Sequence, residues 1–292
     1  MQKVQFQHGF SPYFFVAPQI LIILIFFIWP AIQAVHQSFL LEDAFGLSSE
    51  FVGLLNYEEI FSDPDYLGTV GYTLFFSATV AFLSMAIALL LAVQANSVIR
   101  GASSYKTLLM WAYAIAPPAA GLIGNLMFSP LIGDLYALLN ESGIEFNHNQ
   151  NGSDAIFVVV LIAVWKQVSI NFIFFLSGLQ GIPNSVTEAS RIDCPGSFKR
   201  FWSITFPLLA PTTFFLLVIN TTYAFFDTFG IIDVTTRGGP GSATNTLVYK
   251  VYTDGFLGAD LGSSAAQSVI LMVFVLTLTI FQFRFIEKKV HY

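Results

Sequence analysis

The chain has 292 residues, 55% hydrophobic and 10% charged, where a soluble domain carries roughly 25% charge, so a bilayer and not one aqueous core is the solvent that fits. The net charge of −6 excludes a basic nucleic-acid surface, and no nucleic-acid partner is expected. Cys194 is the only cysteine, and His8, His36, His148 and His291 stand far apart, so neither an intrachain disulfide nor a metal site is expected.

Six apolar segments can each cross about 30 Å of hydrocarbon at about 1.5 Å per residue. They run roughly over 13–37, 70–95, 105–128, 155–179, 207–229 and 265–285. The expected fold is an all-α integral membrane protein of six spans, forming a single domain over 1–292. The first segment, with Lys3 before it, has the outline of a secretory signal. Its apolar run exceeds an h-region of about 7–15 residues, and Ile28-Trp29-Pro30 does not resemble a cleavage site, so it reads as a retained helix.

Residues 38–69 carry seven acids and no Lys or Arg. In the second span Thr73, Ser77 and Ser84 share a face. The third holds Pro117-Pro118, then Gly121 and Gly124-Asn125. Two prolines remove two backbone donors, and the result is either a broken helix lining a cavity or a structural kink. The following loop, 129–154, is again acidic without Lys or Arg.

In the fourth span Lys166 follows Trp165 about eleven residues into the apolar run. Burying it costs about 2.5–3.5 kcal/mol on insertion scales, so it must meet water, a counter-charge or a carbonyl. Substrate contact and a structural ion pair both remain open. In the fifth span Asn220, Tyr223 and Asp227 fall on one face, with Thr213 extending the stripe. The outer loop after it holds Arg237, Gly238, Gly239 and Pro240, then Lys250; it lacks the Lys-Ser/Thr ending of a nucleotide-binding P-loop. In the sixth, Ser264, Gln267 and Ser268 share a face. Such polar stripes line a wet path or bond helix to helix. The candidate substrate path is Lys166, Asn220, Tyr223, Asp227 and Gln267. Basic residues gather on the other side, at Lys3, Arg100, Lys106, Arg191, Lys199, Arg200, Arg284, Lys288 and Lys289, which sets both termini in the cytoplasm.

The longest cytoplasmic loop, 180–207, exceeds an ordinary helix connection. Pro183-Asn184-Ser185 reads as a helix start, with Glu188 expected in the first turn, where the helix dipole favours an acid. Pro195-Gly196 then breaks the helix. Two short helices at a turn form a knob suited to a groove on another protein; the alternative is an interfacial helix lying on membrane lipid.

This loop resembles the EAA loop of ATP-binding-cassette (ABC) importer permeases. That motif runs EAA, three residues, Gly, nine residues, Ile, one residue, Leu-Pro. Glu188-Ala189-Ser190, Ile204 and Pro207 keep the spacing, while Ser190, Cys194 and Phe206 depart from the motif residues. Trp165-Lys166, Gly178-Leu179-Gln180-Gly181-Ile182-Pro183 and Thr235-Thr236-Arg237-Gly238-Gly239-Pro240 resemble the carbohydrate-uptake branch. Phe27-Ile28-Trp29-Pro30, Tyr223–Phe229 and Ser263–Met272 are most similar to the A-type permeases of sn-glycerol-3-phosphate uptake.

The resemblance implies a type I importer permease in the bacterial inner membrane. It implies a non-catalytic subunit that carries sn-glycerol 3-phosphate, with glycerophosphodiesters as a further class. Glu188, Ala189, Ser190, Asp193 and Gly196 become the ATPase-coupling elbow. The implied partners are a second homologous permease, two copies of an ABC ATPase that uses ATP and Mg, and a periplasmic binding protein. No cofactor is expected on this chain itself. A permease for a neutral sugar is the alternative. An ATP-independent carrier has no need of the 180–207 loop, and a membrane enzyme would need acid/base clusters that the chain does not offer.

Overall fold

The computed structural model describes residues 11–42, 48–97, 102–194 and 196–286. These form two compact units. One is the chain up to Ser62 with Val251–Met272; the other is Asp63–Lys250 with the chain from Val273 onward.

In the first unit, α1 (Ser11–Ile23) passes through a π-helical turn, Leu24–Ile28, into α2 (Trp29–Gln37). Pro30 has no N–H to give the ladder, and the Trp29 N–H reaches back five residues to the Leu24 carbonyl. From Tyr13 to Pro30 every side chain is exposed, a helix apolar on all sides. Strands β1 (Leu40–Glu42) and β2 (Ser49–Phe51) pair antiparallel, with Leu41 opposite Glu50. Asn56, on α3 (Leu55–Ser62), closes this corner by donating to the carbonyls of Ser38 at 2.9 Å and Leu40 at 3.0 Å.

The second unit is built on two long rods, α4 (Pro64–Ser97) and α8 (Gly152–Gln180). The two rods are in contact, and their fully buried residues include many small or β-branched ones: Val80, Ala88 and Ala92 on one, Ala155, Val158, Val159 and Ala163 on the other, beside Phe76 and Phe172. Small residues let helix backbones approach closely where no hydrophobic drive separates them from lipid. Asn151 caps α8 by accepting from the Ser153 N–H at 3.0 Å.

Between the rods, α5 (Ala102–Ala114) and α6 (Pro117–Met127) meet at 102°, and α7 (Asp134–Glu141) follows. After α8 come α9 (Asn184–Asp193), α10 (Ser197–Arg200), a π-helical turn, α11 (Phe206–Leu208) and α12 (Ala210–Thr222). The stretch Ser197–Leu208 is bent by 69° against Ala210–Asp227. Another π-helical turn, Tyr223–Asp227, leads into α13 (Phe229–Thr235). Helix α13 packs on α6 at contact so close that a Cβ on Gly230 would lie 2.8 Å from Pro118 Cγ. Two hydrogen bonds seal the pair: Thr235 Oγ1 to the Gly121 carbonyl at 3.2 Å, and Asn125 Nδ2 to the Val234 carbonyl at 3.2 Å. Helices α14 (Leu247–Tyr252) and α15 (Leu261–Phe281) complete the chain's described helices.

Among the described residues four helices are long and apolar enough to cross a membrane, and up to six if each bent pair counts as one span. Apart from the short β1–β2 pair, the described chain is that of a helical, multi-pass membrane protein. The two prolines expected to distort the third segment sit at the start of α6, where a missing N–H is tolerated, and the break lies just before them.

Candidate functional site

Lys166 and Tyr223 are brought together with Asp227 around a cavity of about 450 Å³ in the second unit. Its walls are the α5–α6 joint, the middle of α8 and the end of α12 with its π-helical turn. Lys166 is 7% exposed. Its Nζ donates to the Tyr113 carbonyl at 3.3 Å and lies 5.5 Å from the centre of the Tyr113 ring. Tyr223 is buried, and its hydroxyl donates to the Ala163 carbonyl at 3.2 Å. Asp227 is exposed on the same wall. The π-helical turn re-aims this stretch, because a five-residue repeat breaks the stripe that a regular helix would continue. Lys166 is the one basic lining residue and Asp227 the one acidic.

Asn220 does not line this cavity. It is fully buried in a knot with Ser84 of α4 and Asn171 of α8. Asn171 Nδ2 donates to Asn220 Oδ1 at 3.0 Å and to Ser84 Oγ at 3.1 Å. Asn220 Nδ2 answers to Asn171 Oδ1 at 2.8 Å, and Ser84 Oγ donates to Asn220 Oδ1 at 2.9 Å. The expected stripe therefore separates: one turn of α12 serves helix packing and the next the cavity. Gln267 lies in the other unit, where its Nε2 donates to Asp254 Oδ2 at 2.7 Å. The cavity also recruits Tyr113 and Gln167, which the residue pattern alone did not single out. Asn171 carried a legible signal, an amide inside a long apolar run.

A second hollow of about 620 Å³ lies along α4 and α12, lined by Leu74, Phe82, Met85, Leu89, Trp202 and Leu217 among others. Its walls are mostly apolar and suit hydrocarbon, with Ser77, Thr213, Thr221 and Gln282 as the polar exceptions.

The 180–207 segment forms an elbow of α9 and α10. Glu188 and Ala189 are exposed, while Ser190 turns inward and donates to the Thr187 carbonyl at 2.7 Å. Glu188 is the fifth residue of α9, which begins at Asn184. The expected placement in the first turn is corrected: Glu188 sits beyond the reach of the N-terminal dipole and meets solvent. Asp193 ends the helix, and Gly196 precedes α10. Arg200 Nη1, on α10, donates to the carbonyl of Cys194, the residue after α9, at 3.2 Å. Ile192 and Phe198 stand 85% and 80% exposed on this elbow, the apolar contacts a docking groove would cover.

The loop after α13 is fixed from within. Gly238, at φ 78°, faces the Tyr249 ring, where a Cβ would be strained and 3.0 Å from Cε1. Thr244 Oγ1 donates to the Gly239 carbonyl at 2.9 Å, and its backbone N–H to the Gly238 carbonyl at 3.1 Å. The Gly239–Pro240 peptide is cis. Arg237 projects, exposed, from this rigid loop.

The fold is similar to that of a bacterial ABC transporter involved in the import of the acidic polysaccharide alginate, with TM-score 0.82 and 19% identity over 96% of each chain. It is also similar to the bacterial alginate ABC transporter in complex with an alginate pentasaccharide-bound periplasmic protein, with TM-score 0.79 and 20% identity over 94% and 92% of the two chains. No family model matches the chain. The chain is 56% identical over its whole length, and over the whole of the relative, to the sn-glycerol-3-phosphate transport system permease protein UgpA of Brucella suis biovar 1 (strain 1330). Identity is 54% over both full lengths to the protein of that name from Rhizobium meliloti (strain 1021), and 51% to that of Yersinia pestis over 97% of this chain and 98% of the relative. The chain belongs to the UgpA family of ABC transport permeases, non-catalytic membrane subunits.

Proposed function

We propose that the chain forms half of the translocation path for sn-glycerol 3-phosphate in an ABC importer. The observation that carries this reading is the 56% identity, end to end, with a permease of the sn-glycerol-3-phosphate transport system. The cavity chemistry supports it. A phosphate monoester carries about −1 to −2 charge near neutral pH. At membrane depth it needs a cation, and Lys166 is the one basic side chain on the cavity wall. Tyr223 and Asp227 meet the hydroxyl end, where a carboxylate accepts hydrogen bonds at a distance from the phosphate.

Work enters at the elbow. Glu188, Ala189, Ser190, Asp193 and Gly196 belong to the elbow that docks on a separate ATPase, which alone uses ATP and Mg; Glu188 and Ala189 face outward and Ser190 packs behind them. A second homologous permease completes the path, and two ATPase copies drive the pair. A periplasmic binding protein delivers the substrate to the outer face, where Arg237 and the loop Gly238-Gly239-Pro240 receive it. The chain lies as a single permease domain among the lipids of the bacterial inner membrane, with both termini cytoplasmic. ATP binds one arrangement of the pair more tightly and so shifts its population.

The test is Lys166→Gln in the assembled transporter, with uptake of glycerol 3-phosphate measured beside that of the zwitterionic diester glycerophosphocholine. Selective loss of the dianion, about tenfold or more, is expected. Equal loss of both assigns Lys166 to gating or support. Unchanged uptake of both removes Lys166 from the path.

A further inference from the structure

We infer that Pro117 positions the Lys166 ammonium on the cavity wall, by depriving the Tyr113 carbonyl of its backbone donor. The inference rests on the cavity reading above and deepens it. In an α-helix the carbonyl of residue 113 accepts from the N–H of residue 117. Residue 117 is proline and has no N–H. The residue before it, Ala116, is extended at φ −60° and ψ 143°, as the proline ring requires, so α5 ends at Ala114. The Tyr113 carbonyl is thus left among the unsatisfied acceptors of a helix C-terminus. Lys166 Nζ supplies the donor at 3.3 Å, from α8.

Three favourable terms meet at one atom. The ammonium satisfies an orphan carbonyl, it sits at the negative end of a helix, and it lies 5.5 Å from the centre of the Tyr113 ring. Lys has three donors, and the carbonyl takes one. The others stay available to a ligand in the cavity that Lys166 lines. A lysine on a flexible four-carbon stem would otherwise choose among many rotamers. The proline-made vacancy fixes one of them, and the cation is aimed before substrate arrives. Pro117 touches no charge itself; it acts through Tyr113 and Lys166 as a positioning residue.

The experiment is a double-mutant cycle in the assembled, detergent-solubilised transporter without substrate. Pro117→Ala gives residue 117 an N–H and frees residue 116 to turn helical, so that this N–H can meet the Tyr113 carbonyl. Lys166→Met removes the side-chain donor at similar length. In the native background Lys166→Met should lower the unfolding midpoint by several degrees, and in the Pro117→Ala background by less than half as much. Additive shifts overturn the inference. Should Pro117→Ala fail to assemble, Lys166→Gln is compared with Lys166→Met: the amide, still a donor, should hold the midpoint nearer to native, and equal losses overturn the inference.

The second readout is one that mere support of the fold would not move. With Lys166 kept, Pro117→Ala should raise half-saturation for glycerol 3-phosphate several-fold, while leaving that for glycerophosphocholine in place. A parallel rise for both, or none for either, removes the positioning role. The two readings separate cleanly: non-additive midpoints with Lys166→Gln uptake lowered equally for both substrates would sink the phosphate contact and leave the cap standing.

Discussion

Asn171 sits at the centre of a closed amide–hydroxyl knot, with Asn220 and Ser84 each fully buried around it. Each of the three belongs to a different helix, so the knot fixes helix positions as well as satisfying polar atoms. Asn171→Leu removes two donors and an acceptor and leaves Asn220 Nδ2 with the Leu216 carbonyl as its partner. Interhelical bonds of this kind average about 0.6 and reach about 1–2 kcal/mol. We expect a loss of about 1–2 kcal/mol, read as a lowered denaturation midpoint in detergent. Asn171→Leu with Asn220→Leu should cost less than the sum of the singles, since no orphan remains; strict additivity would dismiss the knot. Residue chemistry was legible here only in part. The spacing of Asn220, Tyr223 and Asp227 gave one face, because a regular helix was the only periodicity available to reason with. The π-helical turn at Tyr223–Asp227 shifts that periodicity, and nothing in YAFFD announces it.

At the scale of elements, the elbow and the broken third span were both readable. Pro117-Pro118 must interrupt a ladder for reasons of backbone chemistry alone, whereas Pro195, expected to break α9, lies outside the described residues. The 102° size of the α5–α6 bend was not readable, since it depends on where α13 offers Gly230 and Thr235 to α6. Charge reversal of Glu188 to Lys on exposed α9 should leave folding intact and uncouple the machine. Substrate-stimulated ATP hydrolysis and vesicle uptake should both fall at least tenfold; normal values of both would exclude α9 as the docking element.

The loop before α8 carries a pH response. His148 is 1% exposed and its Nε2 lies 3.2 Å from Asn125 Oδ1. Burial holds its imidazole below the ordinary value, with the Phe128 backbone and the Asp154 carboxylate pulling the other way. A lowered folded value means that the unfolded chain binds the proton first as pH falls. The contribution is therefore full above about pH 6.5 and shrinks below it. Thermal midpoints should drop between pH 7.5 and 5.5, and His148→Gln should flatten that slope. An unchanged slope in the variant would assign the acid sensitivity elsewhere.

For the whole molecule, charge asymmetry reads the orientation. Single cysteines near Glu58 and Glu141 should react with an impermeant thiol reagent added outside sealed cells. Cys194, partly buried beside the elbow, should react only after permeabilisation. Labelling of Cys194 in intact cells would invert the topology.

The two arms that carry α9 differ in stiffness. On one side α8 is an unbroken rod, and from Gln180 back to Lys166 it covers about 21 Å at about 1.5 Å per residue. On the other side the chain leaves through a π-helical turn, the three-residue α11 and a 69° bend before α12 begins. A displacement of the elbow is passed along the first arm as a strut passes thrust, and taken up in the second as a knuckle takes up angle. The cation on the strut and the carboxylate at the far end of the knuckled arm then move by unequal amounts. On the proposed function, in which α9 receives the work, a stroke there would change the gap between Lys166 and Asp227 across the cavity they line.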